Sequence, residues 1–420
     1  MRLRDWLKPG LQLKRWLLLG TLGILFTSYA LGSLLYLNNL EEKGHLILIS
    51  AVVGILLIYF AFRIGMDSLL RNIRYIGTIS GPLDKNKINK QIYDKKILSK
   101  GPKVVTIGGG TGLSVLLRGL KLFTSNITAI VTVADDGGGS GKLREDLGML
   151  PPGDIRNCIL ALAEMEPTME KLLQYRFEDG NLKGQSFGNL LIASMNGISD
   201  SFEEAIKKIN EVLAVTGNVF PVTLEDITLF GKLENGMVVR GESNIPLKSI
   251  EQNCRIERVF IKPKEAEALQ EAISAILSAD IIVLGPGSLY TSILPNLLVK
   301  DICKAITKTK AKVIYIPNIM TQPGETGHYS LWEHVETIIN HCPSITIDYV
   351  IANKGSITDE VYSKYMEEGA QLVKITDGDR NELLNNRIKL IEDNLVEIKR
   401  DYVRHDAVKL SKLIISLDNK

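Results

Sequence analysis

Lys103-Val104-Val105-Thr106-Ile107-Gly108-Gly109-Gly110-Thr111-Gly112 is the stretch whose reading decides the fold. A β-branched run passes without a break into glycines, and an apolar-periodic segment, Leu113 to Leu122, follows them. That order predicts strand, glycine turn and helix. A second β-rich run, Ile127 to Ala134, ends in Asp135-Asp136-Gly137-Gly138-Gly139-Ser140-Gly141. Two successive strands therefore finish in glycine-rich polar loops, which sit side by side at the carboxyl edge of a parallel sheet. Glycines there let backbone N–H groups approach an oxyanion, and the positive end of the following helix favours phosphate.

Working outward, the α/β rhythm continues. Ile155 to Ala163 and Met169 to Phe177 read as helices, with Asp154 as N-cap after Pro151-Pro152-Gly153, and Leu190 to Met195 and Ser201 to Leu213 as two more. Between residues 218 and 262 short β-like runs with Glu234-Asn235-Gly236 as a hairpin turn suggest a small β-rich excursion. A helix from Lys264 to Ser278, a strand from Asp280 to Leu284 and the loop Gly285-Pro286-Gly287-Ser288 come next. Pro295 makes the helix Leu289 to Leu298 short or kinked. Further strands are expected at Lys312 to Ile316 and Ile345 to Ala352, and a closing helix at Ala407 to Ser416. At least four β runs end in polar or glycine loops, the layout of an open sheet that binds ligand beyond its strand ends.

The 420 residues are 45% hydrophobic and 23% charged, as in a folded protein, and the net charge of +2 conceals an asymmetry. The first hundred residues hold 15 Lys and Arg against 6 Asp and Glu, which of the 50 and 48 in all leaves 35 against 42 for the rest. A mildly acidic remainder argues against nucleic acid. The basic excess surrounds two uncharged apolar runs, Trp16 to Leu37 and Leu46 to Phe62. Each approaches the ~20 residues that span a bilayer, and the first is too long for a signal-peptide core. Residues 1–65 thus read as a transmembrane hairpin and 66–101 as a juxtamembrane helix and lysine-rich linker. Basic residues outside both runs and the acidic loop Asn38 to Gly44 predict a two-pass protein of the cell membrane, with both termini and residues 101–420 in the cytosol. Cys158, Cys254, Cys303 and Cys342 form no C-x-x-C pair, so reduced thiols are expected, and the histidines show no metal-hydrolase grouping.

The glycines match neither nucleotide fingerprint: Leu113 stands where a dinucleotide loop wants its third glycine, and no Gly-Lys-Ser/Thr follows. Asp135-Asp136 beside a glycine nest can take ribose hydroxyls, hold Mg²⁺ with substrate phosphates, or act as base on a hydroxyl. Helix capping and turn chemistry are the alternative for such a pair.

Six ordered motifs carry a resemblance: Gly108 to Gly112, Asp135 to Gly141, Pro152-Gly153-Asp154-Ile155-Arg156-Asn157, Gly188-Asn189-Leu190, Gly285-Pro286-Gly287-Ser288-Leu289-Tyr290-Thr291-Ser292 and Thr321-Gln322-Pro323-Gly324-Glu325-Thr326. From about Lys103 to Leu413 the chain resembles the YvcK family, the gluconeogenesis factors, similar in fold to 2-phospho-L-lactate transferase, CofD. The resemblance implies a Rossmann-like, mostly parallel α/β domain over residues 102–420 that binds UDP-sugars such as UDP-N-acetylglucosamine. It also implies a role in cell shape and cell-wall synthesis during gluconeogenic growth, with cell-wall regulatory proteins or a second copy in a homodimer as partners. Many members lack a membrane anchor. Expected ligand contacts are Gly108, Gly109, Gly110, Thr111, Gly112, Asp135, Gly138, Ser140, Asp154, Arg156, Asn157, Gly188, Asn189, Gly285, Gly287, Ser288 and Thr291. Whether a reaction follows binding stays open; a transferase would use Asp135 and Asp136, with Mg²⁺ as its only expected cofactor.

Overall fold

A computed structural model describes residues 13–36, 44–76, 96–164, 167–399 and 402–418. Its contacts divide the chain into two compact units, one up to Ile97 and one from Leu98 onward.

In the first unit two helices, Leu13–Tyr36 and Gly44–Ile76, pack antiparallel. Their seam is made of small residues: a Cβ on Gly23 would lie 2.9 Å from the Gly54 carbonyl oxygen, and one on Gly54 2.6 Å from the Thr27 methyl. Ser50 donates its hydroxyl to the Phe26 carbonyl at 3.0 Å. Glycine contacts and an interhelical hydrogen bond are how helices associate where no hydrophobic effect drives them. The outer faces remain apolar and exposed, with Leu25, Leu31, Ile55 and Phe62 among the uncovered side chains. Among the described residues, Gly44–Gly65 is long and apolar enough to cross a bilayer, whereas Leu18–Leu34 is a shorter apolar segment. The second helix runs on through Ile76, so the expected juxtamembrane segment begins as its continuation; the linker from Gly81 lies outside the described residues as far as residue 95.

In the second unit seven strands form one parallel sheet in the order β3-β2-β1-β7-β8-β9-β10. They are β1 Val104–Gly108, β2 Ile127–Val131, β3 Asn218–Pro221, β7 Ile281–Leu284, β8 Lys312–Tyr315, β9 Tyr349–Asn353 and β10 Lys389–Asp393. β1 and β7 are buried along their whole length, because crossover helices cover both sheet faces. Their apolar runs leave no polar alternation for the same reason. Helix Gly110–Leu120 buries Leu113, Leu116, Leu117 and Leu120, an i, i+3, i+4, i+7 spacing that puts one stripe on the core, each leucine contributing about 2 kcal/mol.

The β-rich excursion is a three-stranded antiparallel sheet, β5-β4-β6, of Val238–Arg240, Thr228–Leu233 and Ile256–Lys262. Its expected first strand belongs elsewhere: Asn218–Pro221 pairs in parallel with β2 as the edge of the main sheet. Pro221 fits there because an edge strand has no donor to lose on its open side. The helix expected from Lys264 is shorter, Gln270–Leu277. Around Pro295 the chain widens into a π turn, Leu289–Ile293, before a four-residue helix, Leu294–Leu297, which accommodates a residue without N–H. A two-stranded ribbon, β11 Val396–Lys399 and β12 Tyr402–His405, precedes the last helix, Ala407–Ser416, capped by Asp406.

Cys303 and Cys342 are joined in a disulfide, Cα atoms 6.5 Å apart, where free thiols were expected. Thirty-nine residues separate them in sequence; the fold brings helix Lys300–Lys308 beside the end of helix Leu331–His341. Cys158 and Cys254 are free.

Candidate functional site

Strand order reverses between β1 and β7, which creates a crevice outside their carboxyl ends. Both strands exit through glycines with positive φ, Gly110 at +68° and Gly285 at +80°. The two loops press together backbone to backbone: a Cβ on Gly112 would stand 2.7 Å from the Pro286 carbonyl oxygen. Gly109, at the N-cap of helix Gly110–Leu120, has no side chain to cap the first turn; Asp154 takes the Gly110 N–H, and Thr111 and Gly112 stand on the crevice.

A cleft of about 200 Å³ fills this place, lined by Gly109, Gly110, Thr111, Gly112, Gly287 and Ser288. Its third wall comes from the loop after β8, where Gln322 donates to the Ser288 hydroxyl at 2.7 Å and accepts from the Asn318 amide at 2.9 Å. Its fourth wall is Tyr365 with Val403, Arg404 and His405 of β12. Tyr365 accepts the Val403 N–H at 2.9 Å, fixing the ribbon over the sheet end. Burial depresses the His405 imidazole to about 4, so it is neutral, and it is held on the Pro317 carbonyl. Arg404 is the cation of the cleft wall. The resemblance had placed Thr321 and Gln322 in a motif without a site role, and the Arg404-His405 pair had no signal beyond its polarity before the last helix.

Gly108 and Gly285 lie beneath the cleft floor. Asn296, fully buried, donates to the Gly108 carbonyl at 3.1 Å and the Ser292 carbonyl at 2.7 Å. Thr291 is buried behind the floor and donates to Glu325 at 3.1 Å, whose other oxygen accepts the Tyr290 N–H at 3.2 Å. Burial raises Glu325 to about 7.

The remaining expected residues gather on the β2 side. Asp154 does not cap its own helix, whose N-cap position is Pro152; it instead accepts the Gly110 N–H and stands against Gly109. Burial first, and then Asp135, raises it to about 6. Asp135 accepts the Gly137 N–H at 2.9 Å and bonds Ser140, and burial pushes its carboxyl up. Arg156 reaches Ser186, Asn189 at 2.8 Å and Asn157 at 2.9 Å, its stem passing over Gly188. Asn189 is thus spent on orienting Arg156, and the group borders the cleft through Asp154 without lining it. Gly138 opens helix Gly138–Leu147 with nothing near its would-be Cβ.

Asp136 has a structural task. Its oxygens accept the Glu242 N–H at 3.0 Å, the Ser243 N–H at 3.0 Å and the Ser243 hydroxyl at 2.7 Å, clasping the antiparallel sheet to the β2 loop. Beside it Glu242 is raised to about 8, by burial and then by Asp135. With Asp136 so engaged, the pair does not fit a resident Mg²⁺, and among the described residues no group of three metal-ligating side chains occurs.

With that geometry in place, the comparisons are specific. Residues 104–396 match the family model described as 2-phospho-L-lactate transferase CofD. A relative from Clostridium acetobutylicum is 53% identical over 419 residues, 99% of this chain and 92% of that protein. The gluconeogenesis factor of Bacillus subtilis is 47% identical over 321 residues, 76% of this chain and 99% of its own. A crystal structure of a UPF0052 family member from Bacillus halodurans superposes with a TM-score of 0.71 at 47% identity, covering 74% of this chain and 98% of that one. The chain belongs to the CofD family and, within it, to the gluconeogenesis factors.

Proposed function

We propose that the cleft binds the diphosphate of a UDP-sugar, UDP-N-acetylglucosamine, and that binding regulates cell shape and cell-wall synthesis during gluconeogenic growth. The observation that carries this reading is the meeting of two glycine loops at the switch point, with helix-start amides on one side and Arg404 on the other. About 200 Å³ is less than the ~300 Å³ of a small complete ligand site, which suits a diphosphate with its nucleoside or sugar reaching outward. In this reading the apolar helix pair is a two-pass anchor that leaves both termini and residues 101–420 in the cytosol, near membrane-bound cell-wall partners. A homodimer is compatible with it, and nucleic acid is not among the partners.

A second reading follows from the CofD match: transfer of a phospho-lactyl-type group from a nucleotide to an acceptor hydroxyl, with Asp135 or Asp154 as base. Both carboxyls are raised towards neutrality beside the first glycine loop. Calorimetry on the purified protein with UDP-N-acetylglucosamine, NAD⁺ and GDP separates the ligands; tight NAD⁺ binding with none to the UDP-sugar overturns the first reading. Following the nucleotide with Mg²⁺ and acceptors separates regulator from enzyme: binding without consumption supports the former, Asp135-dependent release of UMP or UDP the latter.

A further inference from the structure

Away from the cleft, and sharing no lining residue with it, a groove of about 880 Å³ runs between β6 and the segments around residues 297–304 and 340–344. β6 is the edge of its three-stranded sheet, hydrogen-bonded to β4 on one side only. On its open side the Val259 N–H is taken by the His341 ring at 3.0 Å, so a side chain fills the place of a strand acceptor there. Ile261, two residues on, directs its backbone groups to the same edge and lines the groove. The floor is apolar, with Leu297, Leu298 and the Cys303–Cys342 disulfide.

The rim is basic. Arg258, Lys262 and Lys264 are exposed and make no ion pair among the described residues; Lys262 lies over the Phe230 ring, 4.9 Å from its centroid. Lys300 and Lys304 pair with Glu265 and Asp301. Such exposed pairs are worth about 0–1 kcal/mol and exchange readily for an incoming carboxylate. A positive rim on a unit whose net charge is negative marks a surface complementary to an acidic partner. Edge lysines discourage pairing of β6 with its own kind, but not with an acidic strand.

We infer that this groove takes an extended acidic segment of a partner protein, added to β6 as a further strand with its carboxylates on the Arg258, Lys262 and Lys264 rim and its apolar side chains on the floor. An anionic membrane or a nucleic acid satisfies the charge, but brings no backbone to an open strand edge.

The test uses the full chain in uncharged detergent and a fluorescein-labelled peptide of alternating glutamate and valine, about seven residues long, as a strand-length probe. Fluorescence anisotropy should show saturable binding, with hydrogen exchange slowed at Ile261, next to the Val259 N–H that the His341 ring already holds. The lysine-valine counterpart should not bind. The exposed charge reversals Arg258→Glu with Lys264→Glu should weaken binding by about tenfold or more, whereas Lys412→Glu, outside the groove, leaves it unchanged. Circular dichroism confirms that each variant folds. Equal binding of both peptides, or no effect of the double reversal, overturns the inference. So does stronger rim-dependent binding to anionic vesicles or an oligonucleotide, or loss of the groove to self-association.

Discussion

The amide of Asn296 bonds the carbonyl of Gly108, tying the last residue of β1 to the helix that follows β7 across 188 positions of sequence. It adds a side-chain tie to the backbone ladder, which already joins the two strand ends through the Gly285 N–H and the Ile107 carbonyl at 2.9 Å. Asn296→Ala removes two buried hydrogen bonds, leaving the Gly108 carbonyl with the Thr132 N–H alone, and is expected to cost about 1–3 kcal/mol in urea unfolding. Asn296→Asp should cost more at neutral pH, since it sets a carboxylate against two carbonyl oxygens, and recover in acid. Equal stability of all three proteins would remove Asn296 from this role.

Two glycines of helix Gly110–Leu120 should differ in their effect on binding. Gly112→Ala sets a methyl 2.7 Å from the Pro286 carbonyl oxygen and forces the loops apart, so UDP-sugar affinity falls together with about 1–3 kcal/mol of stability. Gly119→Ala drives a methyl against the Ala407 carbonyl of the closing helix, and overpacking there costs about 1–3 kcal/mol of stability. Calorimetry beside thermal melts reads both.

Arg404→Ala should weaken UDP-sugar binding by about tenfold to hundredfold, the worth of charge-assisted hydrogen bonds to a diphosphate. It should also flatten the salt dependence of affinity, and Arg404→Lys should restore the slope better than the affinity. Unchanged binding in Arg404→Ala would move the diphosphate away from β12.

Glu325 at about 7 and Glu242 at about 8 lie above the usual carboxylate range. A carboxyl raised by folding holds its proton more tightly in the native state. Its stabilising effect is full below the unfolded value and is lost as pH rises through the folded one. The contribution of these two carboxyls should therefore decline between about pH 4.5 and about pH 8, and Glu242→Gln, neutral throughout, should flatten the upper part of that decline. Parallel slopes for the two proteins would refute the assignment.

The helix pair of the first unit predicts a cross-link. A Cβ on Gly20 would lie 3.7 Å from that of Ala61, within the range of a disulfide. The double variant Gly20→Cys with Ala61→Cys should oxidise within one chain in membranes, and adding Gly23→Leu should abolish it. A reporter fused after Lys100 should read cytosolic; an exterior-only reporter active there would sink the two-pass topology.

The centre of the fold was legible because its elements announce themselves locally. Val104 to Ile107 is apolar without alternation, as a strand buried on both faces must be, and the glycines after it say where backbone approaches backbone. The far wall was not legible. β10 carries Lys389, Glu392 and Asp393, and β11 carries Glu397 and Lys399, so edge position gives them the composition of loops. Long-range polar pairings were equally hidden: nothing near Asp136 announces that its partners sit at Glu242 and Ser243, and nothing near Asp154 shows that it serves Gly110 rather than its own helix. The Asp135-Asp136 doublet suggested twin ligands, but the structure gives the two carboxylates different tasks.

The cleft takes one wall from residues 109–112 and another from residues 403–405, so its two sides leave the ribosome nearly three hundred residues apart. Parallel strands cannot close such a site early, because the ribbon that carries Arg404 is among the last parts to be made. The apolar helix pair, by contrast, is complete before β1 begins. A nascent chain would therefore acquire its hydrophobic hairpin while its cleft is still open on one side. Proteolytic loss of the closing helix and β12 would take away the Arg404 wall together with Leu410 and Ile414, which pack in the core beside helix Gly110–Leu120, so the cleft and the core depend on the same last residues to be made.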